Sequence, residues 1–201
     1  MAGCMTGGKN KAGKAFLDAF VAKLIKKNIK LLALDFDLTI LDIHTYGKWD
    51  GPVEKLVPHV RPCMRDLIEM AQSKGVFVCI VTFHRQMDLI QELLRLVLPK
   101  KVANKVIVQV NTPEILAQME DEKETFVPTA VAEGLGKEVH IKNVVRQLRD
   151  SQNVTISPKE ILLLDDDEKN VRSAVHFQHY GFIVEENVDY NKFESFERML
   201  M

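Results

Sequence analysis

Three short apolar runs, each stopped abruptly by polar residues, constrain this chain more than any other feature of it. Leu32–Leu34 runs into Asp35 and Asp37 in LALDFDLTILD, CIV runs into Thr82, and LLL runs into Asp165, Asp166 and Asp167 in LLLDDDEKN. Short apolar runs with such ends read as strands buried on both faces. Between them the apolar residues recur at helical spacing. The pattern predicts helices over 14–28, 61–74, 86–98, 138–150 and 168–180, and strands over 30–36, 76–81, 105–110, 161–164 and 182–185. A last helix is expected from about residue 189, and 113–136 reads as a short helix and loop. Pro62 opens the second helix and Gly75 follows it, and Pro99 ends the third. Strands alternating with helices at this rhythm predict an α/β fold, a Rossmann-like three-layer sandwich around a mainly parallel sheet.

The chain has 201 residues, 46% of them hydrophobic, enough for one substantial core. One domain over 14–201 is expected, preceded by a flexible terminus over 1–13. The net charge is −1 and no block of like charge occurs, so nothing signals nucleic acid. Cys4, Cys63 and Cys79 are far apart without a CxxC spacing, a reduced, intracellular pattern. The first residues hold no secretory-type apolar stretch and no run reaches the length of a membrane span, so the expected location is cytoplasmic. Helix 14–28, with Phe16, Leu17, Phe20, Val21, Leu24 and Ile25 on one side, is expected to pack on the core rather than lie on a membrane. A homo-oligomer is compatible with all of this.

In an open α/β sheet, sites form beyond the carboxyl ends of the strands. The residues that end these strands are Asp35 and Asp37, Thr82, Asn111 and Thr112, and Asp165–Asp167. In an extended strand, i and i+2 point the same way, which puts the Asp35 and Asp37 carboxylates on one side. So many carboxylates on one rim cannot all stay ionised without compensation. Mg²⁺ is the obvious cation, because it takes carboxylate oxygens and keeps positions for water and phosphate. Acid, Mg²⁺, hydroxyl and lysine together suit phosphoryl transfer, in which an aspartate attacks phosphorus.

These residues resemble the haloacid dehalogenase (HAD) superfamily. DFDLT matches its DxDxT signature, Thr82 ending CIVT resembles the second motif, and Asp165, Asp166 and Asn170 resemble the DDxxxN of the fourth. The resemblance spans about 30–185 and implies a phosphoric monoester hydrolase. Asp35 would be the nucleophile and a Mg²⁺ ligand. Asp37 would bind metal through its backbone carbonyl and act as general acid, then base, as in the phosphatases of the superfamily. Thr82 would hydrogen-bond the phosphoryl oxygens, and Asp166 would ligate the metal with Asp165 or Asn170 in support. The third motif is a lysine near the start of the helix before strand four. Lys137, which precedes that helix, is favoured because it reaches the rim more easily, with Lys142 inside it as the rival.

Thr39, Phe83, His84, Arg85 and Trp49 lie beside these motifs and are candidates for substrate contact. His44, Tyr46 and Trp49 fall where the superfamily carries a small flap. Asp167 is expected to cap the following helix. His176 and His179 read as ordinary helix-face residues, and Lys100–Lys101 as a solvated turn. Neither the Thr39–Thr82 gap nor the Thr82–Lys137 gap holds a full cap domain, although 113–136 could act as a partial lid. Within the superfamily, the pattern is similar to the capless, magnesium-dependent phosphatase branch. The phosphorylated substrate is then a small molecule or a protein. The alternative is a HAD-fold domain that binds a partner with little or no turnover.

Overall fold

The computed structural model describes residues 6–125 and 134–200. Its strands are β1 (Leu31–Leu34), β2 (Phe77–Val81), β3 (Ile107–Gln109), β4 (Ile161–Asp165) and β5 (Tyr180–Ile183). They form one sheet in the order β3-β2-β1-β4-β5, and each neighbouring pair is parallel. Alternation along the strands sorts the core into two layers, because successive side chains leave a strand on opposite faces. Leu32, Leu34, Val78, Ile80, Leu162 and Leu164 belong to one apolar cluster, and Leu31, Ala33, Cys79, Val81, Ile161 and Leu163 to the other.

The first cluster is covered by α1 (Thr6–Lys26), α2 (Pro62–Ser73), α3 (Met87–Val97) and α8 (Lys192–Met199). Leu17, Phe20, Val21 and Leu24 of α1 are fully buried there, so the helix packs on the core as its periodicity predicts. Phe20 meets Phe193 and Phe196 of α8 at centroid distances of 5.4 and 6.0 Å, tying the two ends of the chain together. The second cluster is covered by α6 (Glu138–Gln152) through Ile141, Val144 and Leu148, and by Ala174 of α7 (Glu168–His176). This is the three-layer α/β sandwich that the strand and helix rhythm predicts. No helix among the described residues is long and apolar enough to cross a membrane.

Several boundaries differ from the sequence reading. Helix α1 begins at Thr6, inside the expected flexible terminus, while residues 1–5 and Cys4 with them lie outside the described residues. Helix α7 stops at His176 and β5 starts at Tyr180, because Gln178 takes a left-handed φ of 66° and turns the chain early. His179 is therefore not on a helix face. It is buried, with Nε2 at 2.8 Å from Glu138 and Nδ1 at 2.9 Å from the Pro158 carbonyl. Lys100 and Lys101 begin a short helical turn, α4 (Lys100–Ala103). The 113–136 segment holds a longer helix than expected, α5 (Pro113–Thr125). Residues 126–133 of the suggested lid lie outside the described residues.

The largest departure is at the end of β1. The strand stops at Leu34, so Asp35 and Asp37 do not sit on an extended strand. The chain turns tightly: Leu41 N–H donates to the Phe36 carbonyl at 2.9 Å, and Leu38 sits at φ 55°. Arg61, buried at the start of α2, donates to the carbonyls of Leu41 and Leu38, each at 3.3 Å, and holds this turn in place. The register sets Leu34 beside both Ile80 and Leu164, so β1, β2 and β4 end at nearly one level.

Candidate active site

That common level builds a cleft of about 150 Å³, lined among others by Asp35, Asp37, Thr82, Lys137, Asp165 and Asp166. Asp35 follows β1 and is held by its own N–H, which donates to the Leu164 carbonyl at 2.9 Å. Asp165 closes β4, and Asp166 follows it. Carboxylate oxygens of Asp35, Asp165 and Asp166 lie within 4.8 Å of one another. Asp165 Oδ1 accepts from Asp167 N at 2.9 Å and from Asn170 Nδ2 at 3.0 Å, while its Oδ2 is buried without a hydrogen-bond partner. Asp167, also in the cleft lining, caps α7 and accepts from Lys169 N at 2.8 Å.

Lys137 brings one positive charge to these three acids. Its Nζ donates to Asp35 Oδ1 at 2.7 Å and stands 4.0 Å from Asp165 Oδ2, and the side chain is only 3% exposed. It also rests 3.7 Å from the centroid of the Phe83 ring. Lys142 goes elsewhere: it lies on the exposed side of α6, with Nζ 2.7 Å from Glu122 and 3.8 Å from Glu138. The difference follows from helix geometry, since residues five apart leave a helix on different faces.

Gly136 makes the Lys137 position possible. It adopts φ +50°, and a Cβ there would stand 2.9 Å from Ser173 Cβ and 3.0 Å from its Oγ. Relief of that contact would move the segment that carries Lys137. Gly136→Ala is therefore expected to cost about 1–3 kcal/mol in a urea melt. Any phosphatase turnover should fall with it, and unchanged values of both would refute this placement.

Asp37 is held apart from the other acids. Its Oδ2 accepts from Thr45 N at 3.0 Å and lies 2.7 Å from His44 Nδ1, and Thr45 Oγ1 donates to Oδ1 at 2.7 Å. Thr45–Lys48 form a tight turn with Tyr46 at φ 58° and Gly47 at φ 78°, closed by Lys48 N–H on the Thr45 carbonyl at 3.3 Å. Tyr46 is 86% exposed and stacks on the His44 ring at 4.5 Å. Thr82 follows β2 in the same lining, and its Oγ1 accepts from His84 N–H at 3.2 Å, which leaves the hydroxyl proton free to donate.

The electrostatics follow from burial and crowding. Burial raises the Asp35 carboxyl above its ordinary value, against the opposing pull of Lys137. Burial, then the Asp35 charge, pushes Asp165 up to about 8, and the same two causes raise Asp166. Three carboxylates facing one ammonium in a largely buried cleft is an arrangement that a further cation would relieve.

Of the proposed substrate contacts, Phe83 and His84 line the cleft, and Phe83 is 38% exposed at its mouth. Thr39 is fully buried with an unpartnered hydroxyl. Trp49 packs against the first apolar cluster, and its Nε1 donates to the Pro52 carbonyl at 3.2 Å, so it supports the flap from below. Arg85 donates its backbone N–H to the Gly47 carbonyl at 3.0 Å and ties the flap to the β2 end. Thr39, Trp49 and Arg85 are not among the residues that line the cleft. The sequence reading did not assign Thr45 or Arg61, whose roles depend on where the turn after β1 folds back. It noted His140 only as the end of a GKxxH pattern and gave it no role; its Nε2 lies 3.0 Å from Asn111 Oδ1 while its ring packs edge-on to Phe83. Burial and Lys137 push the His140 imidazole down to about 3, so it backs the aromatic wall as a neutral ring.

No family profile matches the sequence, and no curated protein matches it. Among solved structures, an uncharacterized protein from Corynebacterium glutamicum is similar over 86% of this chain and 94% of its own, with a TM-score of 0.40 and 18% identity. A HAD-family enzyme from Bacteroides thetaiotaomicron, in complex with magnesium and inorganic phosphate, is similar over 82% of this chain and 98% of its own. Its TM-score is 0.40 and its identity 10%. Both likenesses are distant.

Proposed function

We propose that this chain is a Mg²⁺-dependent phosphomonoesterase that works through an aspartyl-phosphate on Asp35. The observation that carries the reading is the convergence of Asp35, Asp165 and Asp166 around a single buried lysine. The DxDxT, Thr and DDxxxN resemblance supports it, since Asp35, Asp37, Thr82, Asp165, Asp166 and Asn170 all line one cleft, although Thr39 does not.

The donor set fits the metal. It consists of hard carboxylate oxygens, and Asp165 Oδ2 is buried with no hydrogen-bond partner. Asp35, Asp165 and Asp166 would hold Mg²⁺, with the Asp37 carbonyl in support. When bound, the ion offsets the carboxylates and neutralises the phosphate oxygens. The protein groups do the rest. Lys137 pairs with Asp35 and opposes the effect of burial on its charge, and the Asp35 carboxylate attacks phosphorus as the ester oxygen leaves. Asp37, steadied by Thr45 and His44, gives its proton to that oxygen. The same carboxylate then takes a proton from the water that attacks the Asp35 phosphoryl group and releases phosphate. The Thr82 hydroxyl donates to a phosphoryl oxygen. The cleft has room for the phosphate group itself, and the carrier, metabolite or protein, lies outside it.

Hydrolysis of p-nitrophenyl phosphate should appear with Mg²⁺, stop in EDTA and return when Mg²⁺ is restored. Activity that persists in EDTA would sink the metal assignment. No hydrolysis of this ester or of a phosphometabolite and phosphopeptide panel, at any pH or metal, would sink the enzyme reading.

A further inference from the structure

His84 sits in the cleft wall in a state that lacks one partner. Its backbone is pinned on both sides: the N–H donates to Thr82 Oγ1 at 3.2 Å, and the carbonyl accepts from Asn111 N–H at 2.9 Å. The side chain is 1% exposed, packs edge-on to Phe36 at 5.7 Å, and belongs to the cleft lining with Asp35 and Asp37.

The hydrogen bond to the ring determines its tautomer. Gln86 N–H donates to His84 Nδ1 at 3.0 Å, so Nδ1 carries the lone pair. In the neutral ring the proton then resides on Nε2. The ring stays neutral because burial disfavours its charged form, which outweighs the pull of the Asp37 carboxylate. Nε2 is buried and has no hydrogen-bond partner. A buried N–H left unpaired costs about 1–3 kcal/mol, which an acceptor brought by a ligand would recover. The same lining also offers an anion the Lys137 ammonium and the free Thr82 hydroxyl.

We propose that His84 is a phosphate-binding residue whose Nε2–H donates a hydrogen bond to an oxygen of the bound phosphoryl group. It binds as a neutral donor, adding affinity without adding charge. This rests on the phosphomonoesterase reading for its ligand, although binding can be measured without turnover. His84 moves no proton, so its loss should appear in binding rather than in chemistry.

The test uses the full chain with ¹⁵N-labelled histidine, Mg²⁺ and inorganic phosphate as probe. Before phosphate is added, the ¹⁵N shifts should show the His84 proton on Nε2. Phosphate should then move the Nε2–H signal and slow its exchange with water. His84→Phe should weaken phosphate binding and raise KM by about tenfold, as one lost hydrogen bond predicts, with kcat within about threefold. His84→Gln, which keeps a donor at similar reach, should recover most of that loss. A proton on Nδ1, or a signal that phosphate does not move, overturns the proposal. So does His84→Phe binding phosphate as tightly as wild type. If His84→Phe does not fold, the wild-type spectra and His84→Gln still decide. Wild type separates the two readings: phosphate that moves the His84 signal in a wild-type chain that hydrolyses no phosphate ester supports the binding site and refutes only the enzyme.

Discussion

Asp35→Asn is expected to lower p-nitrophenyl phosphate turnover by at least about 10⁴-fold and leave the fold standing. The loss follows from the role of Asp35: an amide is a poor nucleophile, and removing a nucleophile costs enzymes several orders of magnitude. The survival of the fold follows from its surroundings. Asp35 is a buried carboxyl whose charge the burial already disfavours and whose neighbours are two further acids. An amide of the same shape removes one repulsive charge. Lys137 loses its partner at 2.7 Å but keeps the Asp165 carboxylate, whose Oδ2 is 4.0 Å away. The melting temperature should therefore stay within a few degrees of wild type, or rise. A variant that keeps a tenth of its activity would remove Asp35 as nucleophile, and one that unfolds would remove the electrostatic account.

Lys137→Met should have the opposite balance, with a loss of both turnover and stability. Taking one charge-stabilising donor from an active site costs about 10²–10³ in kcat. Breaking a buried ion pair by removing one partner costs about 3–5 kcal/mol, because the other charges stay buried. The stability loss should depend on pH. Asp165 is pushed from the usual 3.8 up to about 8 by burial and by Asp35, so the fold binds its proton more tightly than the unfolded chain does. The stability this carboxyl lends is complete below its unfolded value and is lost as pH rises through about 8. Metal-free wild type should thus melt at a lower temperature at pH 8 than at pH 5, by the equivalent of a few kcal/mol. Lys137→Met should show a steeper fall, and Mg²⁺ should reverse part of it in both proteins. Lys142→Ala is the control. Its surface pairing with Glu122 is worth less than about 1 kcal/mol, so melting and turnover should match wild type. A flat pH profile for Lys137→Met, or a large defect in Lys142→Ala, would reverse the roles of the two lysines.

Much of this architecture was legible because the signals were local and redundant. β1, β2 and β4 are uninterrupted apolar runs, and a strand buried on both faces has to read that way. α2, α3 and α6 carry clear helical periodicity, and Pro62 marks the start of its helix as the sequence suggests. The ends were less legible. The stop of α7 at His176 turns on the left-handed Gln178, a residue type with no strong preference for that conformation.

The site divides the same way. That Asp35, Thr82 and Asp165–Asp166 end strands could be read directly, and parallel strands with aligned ends had to bring them to one rim. The expected strand stops at Leu34, so Asp35 and Asp37 reach the common cleft from the turn that follows it, and only Asp35 joins the acid cluster. Asp35 joins Asp165 and Asp166, while Asp37 is held by Thr45 and His44.

The sequence alone determined the layered α/β fold and which strand ends carry acid, because apolar periodicity and chain order are properties of neighbouring residues. The choice of Lys137 over Lys142, the separate environment of Asp37 and the unpartnered Nε2 of His84 belong to the tertiary structure. Each depends on a group more than a turn away along the chain: Asp35 for Lys137, the returning flap for Asp37, and the buried cleft wall for His84. Only packing brings such groups within hydrogen-bonding distance or keeps them out of it.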